Sequence, residues 1–415
     1  MIGKIKDLIK LSLFHLRRKY FQVEYNYTTY REYIIHKLKG GTFESRLRNG
    51  ICLRTLRDKI SKNKSKRLAI FVGFHNPNFI PESNKEYVKA LINCSFDVLY
   101  LHNGLLEKQT IEKLENIGCN VICRENIGQD FGAWKDMILY LSKYNLLHRI
   151  NWLLICNDSN FFTGGFNGEA FQERFKERLE KQSDKDFISL LCNYQMLLHH
   201  QSYFICFSNN VIKSSRFLKY WKNYKILGNR YHAIEKGEKE LSITVLKYFR
   251  QSILYTSIDL YESVINSKEN NKLDNFISNL PINAFYLEKC INESNSEKIA
   301  IIRAISMLEK YNQSHAFGLL LMTYCNYPFL KRDVILKGSF SMSQISGIIS
   351  KNHIISNRLI AEEMSAYFLR VGLPYSYWHS PKEAHRKGIE PHGERYDAYP
   401  DSQTYMKKYM EKELG

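Results

Sequence analysis

Residues 68–72 read Leu68-Ala69-Ile70-Phe71-Val72 and run directly into Gly73-Phe74-His75-Asn76-Pro77. Five uninterrupted apolar residues behind the polar, basic stretch Ser61 to Arg67 mark a strand buried on both faces, because a half-exposed strand alternates instead. The pattern then repeats. A helix-like segment from Asn84 to Cys94 leads to a second apolar strand, Phe96 to Leu101. A polar helix from Leu105 to Ile117 leads to a third, Asn120 to Cys123, and a helix from Phe131 to Tyr144 leads to a fourth, Trp152 to Cys156. Four alternations predict an α/β fold with a mostly parallel, doubly wound sheet, whose ligand site lies beyond the carboxyl ends of the strands. Those ends open into Gly73 to Pro77, His102-Asn103-Gly104, the run Arg124 to Gly132 and Asn157-Asp158-Ser159. Backbone donors, amides and at least two carboxylates therefore converge on one edge.

Beyond this the alternation weakens. Phe187 to Leu191 and Ser202 to Ser208 read as further strands, Phe217 to Ile226 and Glu238 to Phe249 as helices, and Asn266 to Asn271 as a polar linker. Glu297 to Tyr311, Ala316 to Tyr324 and Ser341 to Ile349 read as helices. The chain divides accordingly into a basic segment at 1–66, an α/β domain at 67–265, a mainly helical region at 266–380 and a polar tail at 381–415.

Composition bounds the function classes. The 415 residues are 44% hydrophobic and 25% charged, the balance of a chain that buries a core. Nine cysteines at irregular spacings argue for a reducing compartment and against a disulfide framework. The net charge is +18, and residues 1–66 hold 17 Lys and Arg against 5 Asp and Glu, so +12 of it lies in the first sixth of the chain. Such a segment seeks a polyanion. Within it, Ile2, Ile5, Ile9, Leu13, Leu16 and Tyr20 recur at helical spacing with Lys6, Lys10 and Arg17 on another sector. That is either a helix lying in the headgroup plane of an anionic membrane or a surface helix docked on the protein's own core. Charges interrupt it, so it is not a signal peptide, and no window reaches 18 uninterrupted apolar residues.

The motifs each carry two readings. In Asn126-Ile127-Gly128-Gln129-Asp130-Phe131-Gly132, two glycines allow close backbone approach to a ligand at a helix N-terminus, or Asp130 is simply the helix N-cap. No Gly-Lys-Ser/Thr follows, so it is not a P-loop. Asp158 at a strand end is placed to hold Mg²⁺ or Mn²⁺ bridging two phosphates, or Asn157-Asp158-Ser159 closes the strand as an Asx turn. His199 and His200, adjacent in a strand, point to opposite faces and cannot chelate one ion together. Glu238 and Glu240 complement the dipole of a helix start, or one of them acts as a general base.

In their order, N-I-G-Q-D-F-G-A-W-K from Asn126, L-L-I-C-N-D-S from Leu153, H-H-Q-S-Y-F-I-C-F from His199, G-E-K-E-L-S from Gly237 and Y-P-F-L-K-R from Tyr327 resemble the rhamnan synthesis protein F family. The resemblance covers about residues 67–340. It implies a GT-A-like glycosyltransferase of bacterial cell-surface polysaccharide assembly. The donor would be a nucleotide-sugar, rhamnose among the candidate sugars, and the acceptor a growing glycan, usually lipid-linked. Carried over, Asn126, Gly128, Asp130, Gly132 and Asn157 would line the donor pocket. Asp158 would take the place of the metal-binding acidic motif, with Mg²⁺ or Mn²⁺ as cofactor, although that motif ordinarily has two carboxylates and Asp158 stands between Asn157 and Ser159. Gln201, Ser202 and Tyr203 would face the acceptor, and Glu238 would be the base of an inverting displacement. The implied location is the inner face of the cytoplasmic membrane, with no nucleic acid as partner.

The rival reading is a non-catalytic basic adaptor for membrane or nucleic acid, supported by the charge and 28 tyrosines. Against it, the excess charge lies outside the expected α/β domain and no RNP, KH or zinc-finger pattern occurs. If the front segment is the membrane contact, deleting residues 1–21 should release the protein from anionic liposomes at low salt, measured by co-sedimentation. Unchanged binding would refute that assignment.

Overall fold

The computed structural model describes residues 42–371, together with isolated positions between 16 and 34. The exceptions inside that span are 63–64, 182–185, 195–197, 229, 269–270, several positions between 282 and 295, 337–338 and 352–353. The strands are β1 (Leu47–Gly50), β2 (Arg67–Gly73), β3 (Asp97–Asn103), β4 (Asn120–Arg124), β5 (Trp152–Asn157), β6 (Asn160–Phe162), β7 (Phe187–Ser189), β8 (Cys192–Asn193), β9 (His199–His200), β10 (Phe204–Ser208), β11 (Gln251–Ile253) and β12 (Phe329–Lys331). The main helices are α1 (Leu53–Lys62), α2 (Glu82–Asn93), α3 (Lys108–Ile117), α4 (Gln129–Lys143), α5 (Gly165–Glu180), α6 (Ser215–Asn223), α7 (Ser257–Ile265), α8 (Glu297–Leu308), α9 (Gly318–Tyr324), α10 (Met342–Ile349) and α11 (Arg358–Val371).

Eight strands form one sheet in the order β1-β4-β3-β2-β5-β10-β7-β11. The four apolar runs of the sequence form its parallel centre, β4-β3-β2-β5. Their side chains alternate between two cores. Ala69, Phe71, Val98 and Tyr100 join Tyr87 and Leu91 of α2 and Phe171 and Phe175 of α5. Leu68, Ile70, Val72, Leu99 and Leu101 join Leu56 and Ile60 of α1, Trp134 and Met137 of α4 and Trp221 of α6. A strand covered on both faces has no solvent side to mark with polar residues, which is why these runs read as continuous. The sheet is mostly parallel, as expected, but β10 runs antiparallel to both neighbours, β5 and β7.

Two segments set apart in the sequence pack into this body. Residues from Phe43 onward, within the basic front, supply the edge strand β1, antiparallel to β4, and the buried Phe43, Leu56 and Ile60. The region after 266 shares the first core through Ile301, Leu320 and Phe329, and β12 pairs antiparallel with β6. Leu16 and Tyr20 of the amphipathic front are helical and exposed. Most of the 1–21 helix, and the tail at 381–415 with it, lies outside the described residues. Among the described residues no helix is long and apolar enough to cross a membrane.

One buried ion cluster ties the front segment to β4 and α4. Asp136 on α4 accepts a hydrogen bond from Arg46 Nε on Oδ2 at 2.9 Å and pairs through Oδ1 with Arg46 Nη2, while Arg124 Nη2 at the end of β4 lies 3.2 Å from the same Oδ2. All three side chains are buried. Removing the shared anion leaves two guanidinium groups uncompensated in a low-dielectric site, the costly direction for a buried pair. Asp136→Ala should lose about 3–5 kcal/mol in urea unfolding. A loss under about 1 kcal/mol would show that water reaches the cluster.

Candidate active site

From β2 the chain crosses to β3 on one side, and β5 lies on the other, so the strand order reverses between β2 and β5. In α/β sheets the ligand crevice lies at such a reversal, beyond the carboxyl ends of the strands. The last paired residues are Val72 and Asn157. Just beyond them Asp158 donates its backbone N–H to Val72 O at 3.1 Å, and its Oδ2 accepts from Phe74 N at 2.9 Å. Asn157 Oδ1 accepts from Ser159 N at 3.1 Å and Ser159 Oγ at 2.7 Å, so the Asx turn forms on Asn157 and leaves the Asp158 carboxylate to the crevice.

Asn157 also reaches sideways, donating Nδ2 to Asp130 Oδ2 at 2.6 Å. Asp130 is the second residue of α4, whose N-cap is Gly128, so Asp130 is not the cap. A second carboxylate, from the first turn of α4, is thus tied to the strand end that carries Asp158. Burial, then the Asp158 charge, pushes the Asp130 carboxyl up to about 7, against the Asn157 hydrogen bond and Arg124. Burial likewise raises Asp158, opposed by Arg332, the Phe74 amide and His102. Nearby, His75 and His102 lie with ring centroids 4.6 Å apart, and burial lowers both to about 4, which keeps them neutral.

The Asn126 to Gly132 loop is shaped from below by Arg124, which donates to Ile127 O at 2.7 Å and Asn103 Oδ1 at 2.5 Å. Gly128 has φ +75°, and the next residue, Gln129, is a non-glycine at φ +51°, a conformation that costs free energy for any side chain. The room left by the two glycines is filled from within the protein. A Cβ on Gly128 would lie 2.3 Å from Ile226 Cγ2, and one on Gly132 would lie 2.2 Å from Ile127 O. The loop therefore offers the crevice Asp130 and the exposed Asn126, and its glycines are accounted for by packing.

Glu238 sits at the other half of the site. It lies in a π-helical turn, Ala233–Lys239, a rare geometry that concentrates at functional positions. His199 Nε2 is 3.3 Å from Glu238 Oε1, and Ser202 Oγ donates to Oε2 at 2.9 Å. Burial raises the Glu238 carboxyl, but the His199 hydrogen bond, the Lys331 charge, the His199 charge and Ser202 outweigh it, so the pKa falls below the ordinary carboxylate value. His200 faces the other way, onto Ser189 Oγ at 2.8 Å, as alternation along β9 requires. Gln201 is buried and donates to Asn312 Oδ1 at 3.4 Å. Tyr203 points into the core, where its hydroxyl meets that of Tyr327 at 3.1 Å.

Antiparallel pairing brings the two halves to one edge. Phe204 of β10 pairs with Cys156 of β5, so Ser202 and Asp158 leave the sheet at the same end of neighbouring strands. Lys331, paired with Asn160 across β12 and β6, sits where its charge acts on Glu238. The next residue, Arg332, donates Nε to Asp158 O at 2.8 Å and pairs with Glu363 of α11 at 3.1 Å. Burial works against the Arg332 charge, and Tyr367, Glu363 and Asp158 outweigh it and hold the group protonated.

Asp130, Asn157 and Asp158 therefore form one cluster, and Ser202 and Glu238 a second at the same edge. His199, Lys331 and Arg332 have no role in the sequence reading. His199 was legible only as one of two alternating histidines, and Lys331-Arg332 only as the end of a motif.

Because the folded pKa of Asp130 lies above its unfolded value, its contribution to stability is fully present below about pH 4 and is lost as pH rises through about 7. Asp130→Asn should therefore gain on the wild type in melting temperature as pH is raised from 5 to 8. A gap that stays constant or shrinks over that range would remove the burial argument.

Comparison with known proteins agrees with the motif order. The chain is 28% identical over 214 residues to uncharacterized protein y4gN of Sinorhizobium fredii (strain NBRC 101917 / NGR234), covering 50% of this chain and 54% of that protein. The chain thus spans about half the length of the curated relative it matches. Among solved structures it is similar to the apo form of the glycosyltransferase GlyE of Streptococcus pneumoniae TIGR4, at 10% identity and TM-score 0.31 over 59% of this chain and 64% of that one. It is also similar to S. aureus TarS 1-349, at 12% identity and TM-score 0.25 over 78% and 92%. Likenesses this distant carry no argument about chemistry. The match to the rhamnan synthesis protein F family runs over residues 98–365, well over half of the chain, and contains all five motifs: the chain belongs to that family.

Proposed function

We propose that the protein is a glycosyltransferase that moves a sugar from a nucleotide-sugar to a glycan hydroxyl with inversion at the anomeric carbon. The observation that carries this reading is the Glu238 carboxylate, largely shielded from solvent yet kept ionised by His199, Ser202 and Lys331, at the same sheet edge as the Asp158 crevice. A carboxylate held charged out of bulk water is suited to accept a proton from a bound hydroxyl. Membership of the rhamnan synthesis protein F family supports sugar transfer as the reaction class; rhamnose is a candidate sugar and a lipid-linked chain a candidate acceptor in this reading.

In this mechanism Asp130, Asn157, Asp158 and Asn126 line the donor crevice. Glu238 takes the proton of the acceptor hydroxyl while that oxygen attacks the anomeric carbon. The bond from that carbon to the diphosphate oxygen breaks, and its electron pair leaves with the nucleoside diphosphate. A divalent cation fits the donor set. Asp158 and Asp130 offer two carboxylates, and Mg²⁺ is commonly held by one or two carboxylates plus substrate phosphates and water. Among the described residues no three His, Cys, Asp or Glu side chains gather into a protein-only cage, and such a site does not need one. When bound, Mg²⁺ or Mn²⁺ supplies neutralisation of the departing diphosphate charge. The basic front segment serves, in this reading, to hold the enzyme against an anionic membrane near its acceptor.

Glu238→Gln should lower transfer roughly 10²- to 10⁴-fold with donor binding retained, and Asp158→Ala should abolish it, both with the wild-type melting temperature nearly kept. Nucleoside diphosphates and their sugars, tested with and without Mn²⁺ in a thermal-shift panel, should stabilise the wild type. No stabilisation by any of them would sink the transferase reading and favour the adaptor.

A further inference from the structure

The turn that carries Glu238 is held by a group with no part in the chemistry above. Tyr220 on α6 donates its hydroxyl to two successive carbonyls of the π-helical turn, Lys236 O at 3.1 Å and Gly237 O at 2.9 Å. Gly237 O also accepts the Glu240 backbone N–H at the end of the turn, so the Tyr220 hydroxyl adds a bond from outside the helix to the wide turn's carbonyls. Gly237 is buried, and a Cβ there would lie 2.8 Å from the Phe131 ring, so Phe131 wedges the turn from the side opposite Glu238's neighbours. Phe131 is fixed in turn by edge contact with Trp134 at 5.0 Å and stacking on Trp221 at 6.1 Å.

Downstream the turn is tied to the sheet. Ser242 Oγ donates to Glu238 O at 2.9 Å and accepts from His200 N at 3.0 Å. The other charges of the turn pair among themselves: Lys239 with Glu235, and Lys236 with Glu240 at 3.4 Å. Glu238 turns toward β9 and the loop after it, where His199 and Ser202 contact it and Lys331 of β12 acts on it by charge; His200 and Tyr203, which point away, feel its charge only through space.

We propose that Tyr220 is a positioning residue for Glu238: its hydroxyl holds the π-helical turn in the shape that aims the Glu238 carboxylate at His199 and Ser202. This rests on Glu238 being the base, and it adds the reason that the base is in place before substrate arrives. The packing of Phe131 on Gly237 also links the base to the donor loop, since Phe131 follows Asp130 directly.

The test uses the full chain labelled with ¹³C at its glutamate carboxyls, with the Glu238 signal assigned by its loss in Glu238→Gln. In the wild type that signal should titrate below the ordinary carboxylate range. Tyr220→Phe keeps the ring and removes the hydroxyl. It should move the midpoint upward by about one unit, the tenfold change expected when a hydrogen bond to a charged group is lost. Gly237→Ala should do the same by collision with Phe131, and adding Phe131→Leu should restore the wild-type midpoint. If Tyr220→Phe lowers the melting temperature but leaves the Glu238 titration unmoved, Tyr220 is only structural and the inference falls, whatever Glu238 does. If the midpoint moves but Glu238→Gln keeps full transfer, the positioning stands and the assignment of the base falls.

Discussion

The carboxylate of Asp136 is shared by two buried guanidinium groups, and much of the structure around the Asn126 to Gly132 loop depends on it. Arg46 brings in the strand before β2, and Arg124 braces the ends of β3 and β4 and the Ile127 carbonyl. Two cations against one anion leave the region beneath the Asn126 to Gly132 loop positive. That excess faces Asp130, whose pKa Arg124 lowers even as burial raises it. A buried charge cluster is weak support for overall stability but strong support for one arrangement, because every alternative strands a charge in low dielectric. The loop's left-handed Gln129 persists for the same reason, its neighbours being over-determined by these bonds and by Ile226.

On the other half of the site the organising fact is the reversal of β10. A parallel strand beside β5 would deliver its carboxyl end to the crevice. An antiparallel one delivers its amino end, and with it Ser202 and the preceding His199. The three carboxylates at this edge differ in what surrounds them. Burial raises both Asp130 and Asp158, and the Asp158 charge raises Asp130 further. Glu238 has a histidine, a hydroxyl and a lysine, which suits a group that must stay ionised to accept a proton. Consecutive residues, Lys331 and Arg332, attend the two halves, so the motif after α9 closes the site as a distant part of the same chain.

What the sequence determined by itself was the part governed by local rules. Four short, largely apolar runs without strict alternation mark strands covered on both faces, and alternation with helices makes their sheet parallel, so the fold class followed from periodicity alone. The facing of His199 and His200 followed from the two-residue repeat of a strand. The position of Asp158 just past β5 followed from its place after an apolar run, and the family followed from five motifs in order.

Only the tertiary structure decided what depends on contacts between residues far apart in the chain. Asn157 joins Asp130 across 27 positions, Ser202 joins Glu238 across 36, and Arg332 joins the Asp158 carbonyl across 174. No local pattern encodes such pairings, because many registers satisfy the same propensities until the cores close. That closure showed Gly128 and Gly132 making room for Ile226 and a loop carbonyl, Tyr203 buried against Tyr327, and the basic front from Phe43 onward built into the sheet. It also wound Glu238 into a π-helical turn, which needs a hydroxyl from α6 and a wedge from α4 that a window on the sequence does not contain.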